Sequence, residues 1–377
     1  MHVGYTPEQE KLRAALRDYF ATLMTPELRA GLTSGDGEYG DGAAYREVVR
    51  QLGRDGWLTI GGRSRLEQLI FADEAALAGV PVPFLTLYTV GPTIARHGTA
   101  EQKEQLVPRI EAGEVHFSIG YSEPGAGTDL AALKTRAVRD GDHYVINGQK
   151  MWTSLIQYAD YVWLACRTDA EAPRHKGLSI IMVPTDAPGF SWTPVRTVAG
   201  PSTSATYYDD VRVPASALVG VENQGWRLIT DQLNHERVAL TSAVPLQRAL
   251  REVRDWAVAT GRIEHEWVRL HLARVHAKTE ALKLFNWRAC ITDGTPAAPR
   301  ASAGKVYGTE LAIEAYRLLM EIIGPAATIR EGEPGAVLSG RIERMYRSSL
   351  ILTFGGGTNE VQRDIIAAGA LGLPIRR

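Results

Sequence analysis

The spacing of apolar positions divides the chain into three stretches. Over residues 1 to about 113 apolar side chains recur every three to four positions, as in Leu12, Leu16, Tyr19, Phe20 and Leu23. That is the period of a helix with one buried face. Just ahead of this stripe, Thr6-Pro7-Glu8-Gln9 reads as a capping box with proline at the first helical position. Thr99-Ala100-Glu101-Gln102 is a second start, and segments 43–55, 65–78 and 86–97 read as helices between the two. Nothing in this stretch carries chemistry by itself.

From about 114 to 220 the period falls to two. A short strand opens at Phe117, and Tyr161 to Ala165, Leu178 to Val183 and Val211 to Val213 are further strands. Asp140-Gly141 and Asn147-Gly148 are hairpin-turn signals on either side of a strand from His143 to Ile146. From 223 the helical period returns. Asn223 to Thr260 predicts one long helix that Pro245 should kink or break. Segments 264–292, 299–323, 336–352 and 359–370 follow. The expected architecture is α+β and multidomain: an N-terminal helical domain (1–113), a middle β-domain (114–222) and a C-terminal helical bundle (223–377).

Length and charge narrow the function. A chain of 377 residues can bury a large core and should form two or three domains. The net charge of −1 supplies no basic field for nucleic acid or an anionic membrane. No apolar run approaches the ~20 residues of a membrane span, and MHVGYTPEQEK lacks a basic-then-apolar signal pattern. Cys166 and Cys290 give neither metal-ligand spacing nor a disulfide framework. The histidines likewise show no metal-ligand spacing. A cytoplasmic protein without metal, nucleic acid or membrane insertion is expected.

Two blocks stand out as candidate chemistry. In FSIGYSEPGAGTDLAAL (117–133) a strand breaks into a turn of small residues, which lets a flat ligand approach the backbone. Ser122 and Thr128 offer hydroxyls there. In GQKMWTS (148–154) Trp152 and Ser154 are two apart, which on a strand puts them on one face. Taken singly, such a turn is usually only a turn and such a tryptophan is usually core.

Together and in this order the blocks resemble the flavin-binding middle domain of the acyl-CoA dehydrogenases. The resemblance spans essentially the whole chain, and TFGGGTNEVQRDIIA (353–367) is similar to the family segment that closes the active site. It implies FAD as cofactor. By position, Tyr121, Ser122, Thr128, Trp152 and Ser154 would surround the isoalloxazine and pyrophosphate, and Gly357, Thr358 and Glu360 would lie along the cofactor chain.

The catalytic base is less direct. Trp226, Ile229, Leu233, Leu240 and Val244 form a helical stripe, and Glu236 sits in register at its edge. A carboxylate on an apolar face is usually paired or functional, and periodicity alone favours a structural pair with an arginine. The best-known family members carry their base just before the Gly-Thr pair, where this chain has Gly356. The long-chain and isovaleryl branches instead carry it on this helix, in a similar Glu-Arg context. The resemblance therefore implies that Glu236 removes the α-proton of an acyl-CoA thioester while the β-hydride passes to the flavin. Arg237 would steer the thioester or fix Glu236, with a structural ion pair equally open.

Several family features are missing. The loop after Trp57 is cut to Thr59-Ile60-Gly61-Gly62-Arg63, and Ser348 replaces an aspartate after Tyr346-Arg347. The Arg-x-x-Phe-Gly motif is absent around 255–266, and the Gly-Gly-Asn-Gly turn survives only as Ile323-Gly324-Pro325-Ala326. The last two normally grip a neighbouring subunit's cofactor. In these losses, and in DGDHYVINGQKMWT, ATYYDDVRVP and NQGWRLIT, the chain is similar to subunits of bacterial α2β2 acyl-CoA dehydrogenases acting on steroid side-chain CoA thioesters. Expected partners are a homologous subunit, or self in a homotetramer, and an electron-transfer protein. Two other readings are a non-catalytic partner subunit and a flavin oxidase or monooxygenase on the same fold.

Overall fold

The structure, a computed structural model, describes residues 4–33, 38–200, 203–239, 241–291 and 298–374, with backbone only for 233–239 and 291. Helices come first: α1 (Pro7–Leu23), α2 (Pro26–Leu32), α3 (Ala43–Arg54), α4 (Arg65–Ala78), α5 (Gly91–His97) and α6 (Ala100–Glu111). The capping boxes at Thr6/Gln9 and Thr99/Gln102 are both formed. The segment expected as a helix over 86–97 begins as a π-helical turn, Leu85–Val90, and tightens into α5. Single π turns are often found at functional sites.

The strands follow: β1 (Phe117–Gly120), β2 (Arg136–Asp140), β3 (His143–Lys150), β4 (Tyr161–Arg167), β5 (Leu178–Pro184), β6 (Phe190–Val195), β7 (Thr203–Pro214) and β8 (Leu218–Val219). They form one sheet in the order β6-β7-β3-β2-β4-β5-β8, with β1 added in parallel to β4. Asp140-Gly141 does join β2 to β3 as a hairpin, but Asn147-Gly148 is not a turn. It runs on through β3 opposite a bulge in β7, where Asp209 and Asp210 together face Asn147 and the register slips between Ile146 and Gly148. Gly148 holds φ +150°, and a Cβ there would lie 2.5 Å from Thr135 Oγ1 and 2.7 Å from Thr135 Cα. Glycine is required by that close approach, not by a reversal of the chain.

The last stretch comprises α7 (Gly225–Ala239), α8 (Val244–Ala259), α9 (Glu266–Ile291), α10 (Ala298–Ile323), α11 (Arg341–Ser349) and α12 (Asn359–Leu371). The expected long helix is two, with Pro245 in the first turn of α8, where its missing N–H costs nothing. Leu240 lies outside the described residues.

One core joins all three stretches. Val90, Ile94, Leu106 and Ile110 from the first helices pack with Phe117, Trp163, Ala165, Leu178 and Ile180 of the sheet and with Leu228 and Ile229 of α7. The opposite face of the sheet buries Val162, Leu164, Cys166, Ile181 and Val183. β4 and β5 are therefore buried on both faces, which explains their unbroken apolar runs. No helix among the described residues is long and apolar enough to cross a membrane.

Candidate functional site

The two sequence blocks meet through a buried ion pair. After β1 the chain turns back between Glu123 and Ala126, whose backbones exchange bonds of 3.0 and 3.1 Å. This points the Glu123 carboxylate inward, where it accepts from Lys134 N (2.7 Å), Thr135 N (2.8 Å) and Lys150 Nζ (2.9 Å). Lys150, fully buried, also donates to the Tyr121 carbonyl at 2.9 Å. Burial alone would push the Glu123 pKa up, but Lys150 and the N–H donors outweigh it and hold the carboxyl below its ordinary value. Met151 N donates to Ser122 O at 2.8 Å, and Ser118 Oγ to Ser154 O at 2.8 Å. The backbones of Ser122 and Met151–Ser154 are thereby brought side by side.

Trp152 and Ser154 are not on a strand. β3 stops at Lys150, and Trp152 takes a left-handed backbone with φ +65°. A bulky residue rarely adopts that conformation. Its indole is 54% exposed, which is unusual for so large an apolar ring. Ser154 is exposed and Ser122 half-buried. Thr128 lies exposed in the turn beside Asp129, which pairs with Arg174. Around Gly125 and Gly127 an added Cβ would meet nothing within 4 Å. An open indole, neighbouring hydroxyls and a clear small-residue turn fit a flat heterocycle carrying a phosphate chain, and FAD is such a group.

A third element closes on the sheet. Tyr121 Oη and Trp163 Nε1 (3.3 Å) both donate to Gln232 Oε1 on α7. Gln232 is 2% exposed, and its Nε2 has no hydrogen-bond partner among the described residues. Position 236 is four residues beyond Gln232 and seven beyond the fully buried Ile229, so the helix period places it on the same face. The side chains of Glu236 and Arg237 lie outside the described residues.

The C-terminal block is organised differently. Thr358 caps α12 by accepting from Val361 N at 3.4 Å, and the Gly357 carbonyl accepts from the buried Lys305 Nζ at 2.9 Å. Gly356 and Gly357 hold φ +67° and +89°. Glu360 is exposed in the first turn of α12. The side-chain bonds of this segment run to α10, through Lys305–Asn359, Ser302–Gln362 and Arg363–Glu310, and not to the sheet. Ser348, in the place of the expected aspartate, donates to Ala199 O at 2.9 Å and so ties α11 to the β6–β7 connection.

A cavity of about 450 Å³ lies between α4, the π-helical turn with α5 and the end of α9, with Leu69, Phe84, Tyr88 and Pro92 among its walls. Arg65, Tyr88 and Arg96 on its walls, and Glu123, Lys150 and Gln232, went unnoticed in the sequence. Lys150 keeps phase with the buried Tyr144 and Ile146 of β3, so the alternation would have shown it as a polar residue on an apolar strand face. Gln232 would have been visible as a polar residue on the stripe of α7.

Family profiles match the chain along its length: the acyl-CoA dehydrogenase N-terminal domain over residues 6–114, the middle domain over 118–211 and the C-terminal domain over 223–371. The chain belongs to the acyl-CoA dehydrogenase family. The acyl-CoA dehydrogenase FadE26 of Mycobacterium tuberculosis is 63% identical over 99% of each chain. A chain of the crystal structure of the ChsE4-ChsE5 complex from the same organism superposes with a TM-score of 0.93 at 62% identity, covering 100% of both. The Tcur3481-Tcur3483 steroid ACAD gives 0.93 at 50% identity, again over 100% of both chains. Acyl-CoA dehydrogenases are oxidoreductases, and membership implies a flavin cofactor.

Proposed function

We propose that the chain is a catalytic subunit of an FAD-dependent acyl-CoA dehydrogenase that introduces an α,β-double bond into an acyl-CoA thioester, with Glu236 as base. The observation that carries this reading is the docking of α7 on the sheet through Gln232. It puts position 236 one helical turn beyond a buried amide that binds Tyr121, on the same helix face.

Tyr121, Ser122, Thr128, Trp152 and Ser154 would hold the FAD ring and pyrophosphate, and Gly357, Thr358 and Glu360 its nucleotide chain. When bound, FAD supplies the acceptor for the electron pair leaving the β-carbon. Glu236 takes the α-proton onto a carboxylate oxygen. That proton is weakly acidic, so the base needs a pKa raised toward neutrality, as desolvation of a carboxylate provides. Arg237, next in sequence, steers the thioester end. An electron-transfer protein then reoxidises the complex.

The substrate class is a steroid side-chain CoA thioester, and the partner a homologous subunit in an α2β2 assembly. Supporting this, two of the similar structures are complexes of paired chains, one of them named a steroid ACAD. The missing motifs that would grip a neighbour's cofactor point the same way.

One observation favours a second reading, a subunit that only completes its partner's site. Gly356 stands where many relatives have their base, in a left-handed backbone whose carbonyl Gln362 holds at 3.2 Å. Glu236→Gln in the co-expressed complex separates the two. Retained flavin without thioester-dependent bleaching supports Glu236 as base. Normal bleaching would assign the base to the partner.

A further inference from the structure

Two arginines face the 450 Å³ cavity, whose size lies within the range of drug-sized ligand pockets. Arg96 is paired with Asp231 on α7 at 2.7 Å. Arg65 has no ion pair among the described residues, and its Nη1 is buried without a hydrogen-bond partner. It occupies the first position of α4, where the helix presents positive amide ends and offers the charge no compensation. The nearby Cys290 is no counter-ion, because burial pushes its thiol up to about 11. An arginine cannot shed its proton to escape this setting, and a buried donor left unmade is costly. The remaining walls include Leu69, Phe84, Tyr88 and Pro92. A fixed cation on an apolar wall suits a ligand that brings its own acceptor.

The cavity adjoins the helix of the proposed base. Its Arg96 wall is pinned to Asp231, five residues before Glu236, which is about 7.5 Å along the axis of α7. We infer that the cavity takes the far end of the acyl group and that Arg65 donates to an oxygen carried there. The substrate is then an acyl-CoA thioester whose apolar portion ends in a ketone or carboxylate oxygen. The inference rests on the dehydrogenase reading for the thioester, not for the acceptor oxygen.

The test uses the co-expressed complex and three CoA thioesters of one carbon framework, ending in a ketone, a carboxylate or a methylene. Binding is measured by equilibrium dialysis for the unchanged protein, Arg65→Met and Arg65→Lys. Arg65→Met should weaken an oxygen-ended thioester about 10- to 100-fold and leave the methylene-ended one unchanged. Arg65→Lys should restore part of the loss, and whichever oxygen-ended ligand loses more identifies the acceptor. The Tm of Arg65→Met should not fall, because Arg65 makes no side-chain hydrogen bond or ion pair among the described residues. An equal loss for all three ligands, or none for any, overturns the inference. So does a lowered Tm, which would make Arg65 structural. Flavin bleaching on the same samples separates the two readings: no bleaching with Arg65-dependent binding sinks the dehydrogenase and leaves the cavity assignment standing.

Discussion

Lys150 Nζ lies 2.9 Å from Glu123 Oε1, and this buried ion pair holds the two cofactor-side blocks against each other. One partner ends β3 and the other begins the small-residue turn after β1. The lysine also grips the Tyr121 carbonyl, so a single ammonium fixes the strand end, the turn and the residue that reaches α7.

Lys150→Met should therefore be damaging in two ways. It leaves the Glu123 carboxylate buried with only its backbone donors, a loss of about 3–5 kcal/mol. Thermal unfolding should show a lower Tm, and visible flavin absorbance of the purified complex should show little bound cofactor. A variant with unchanged Tm would mean that the pair contributes nothing to the fold.

Trp152 offers a backbone test. The residue is half-exposed with φ +65°, and an L-residue there bears about 1–2 kcal/mol that glycine does not. Trp152→Gly should be more stable than Trp152→Ala by roughly 1 kcal/mol, although both lose the indole and should bind flavin weakly. Urea titration of the two variants checks the order, and alanine above glycine would contradict the left-handed backbone.

Asp73 gives a pH dependence. It accepts from Ser242 Oγ at 2.7 Å, and burial raises its pKa to about 6. A carboxyl raised above its unfolded value contributes stability at low pH that is lost as pH rises through about 6. Asp73→Asn keeps the acceptor and removes the titration. Relative to the unchanged protein it should gain up to about 2–3 kcal/mol between pH 4 and pH 8. Measured Tm differences that stay flat across that range would contradict the burial of this group.

Helical period and capping signals placed the elements of the first and last stretches closely. α4 spans the expected 65–78, and the two capping boxes form as read. These are local properties, decided by neighbours three and four residues away, and they survive in the sequence. The three family blocks were legible for the same reason, each being a short contiguous run.

Tertiary structure decided the rest. Asn147-Gly148 is a hairpin signal by composition, yet β3 continues through it, and glycine is needed there because Thr135 on the adjoining segment leaves no room for a Cβ. Trp152 and Ser154 lost their strand because the chain leaves β3 in a left-handed turn. Gln232 reads as a polar residue on an apolar stripe until Tyr121 and Trp163, distant in sequence, converge on its oxygen. Arg65 reads as an ordinary helix-start residue until the walls of the cavity leave its buried Nη1 without an acceptor among the described residues. Period and propensity are local, whereas burial and the partners of a polar atom depend on residues the chain brings together only by folding.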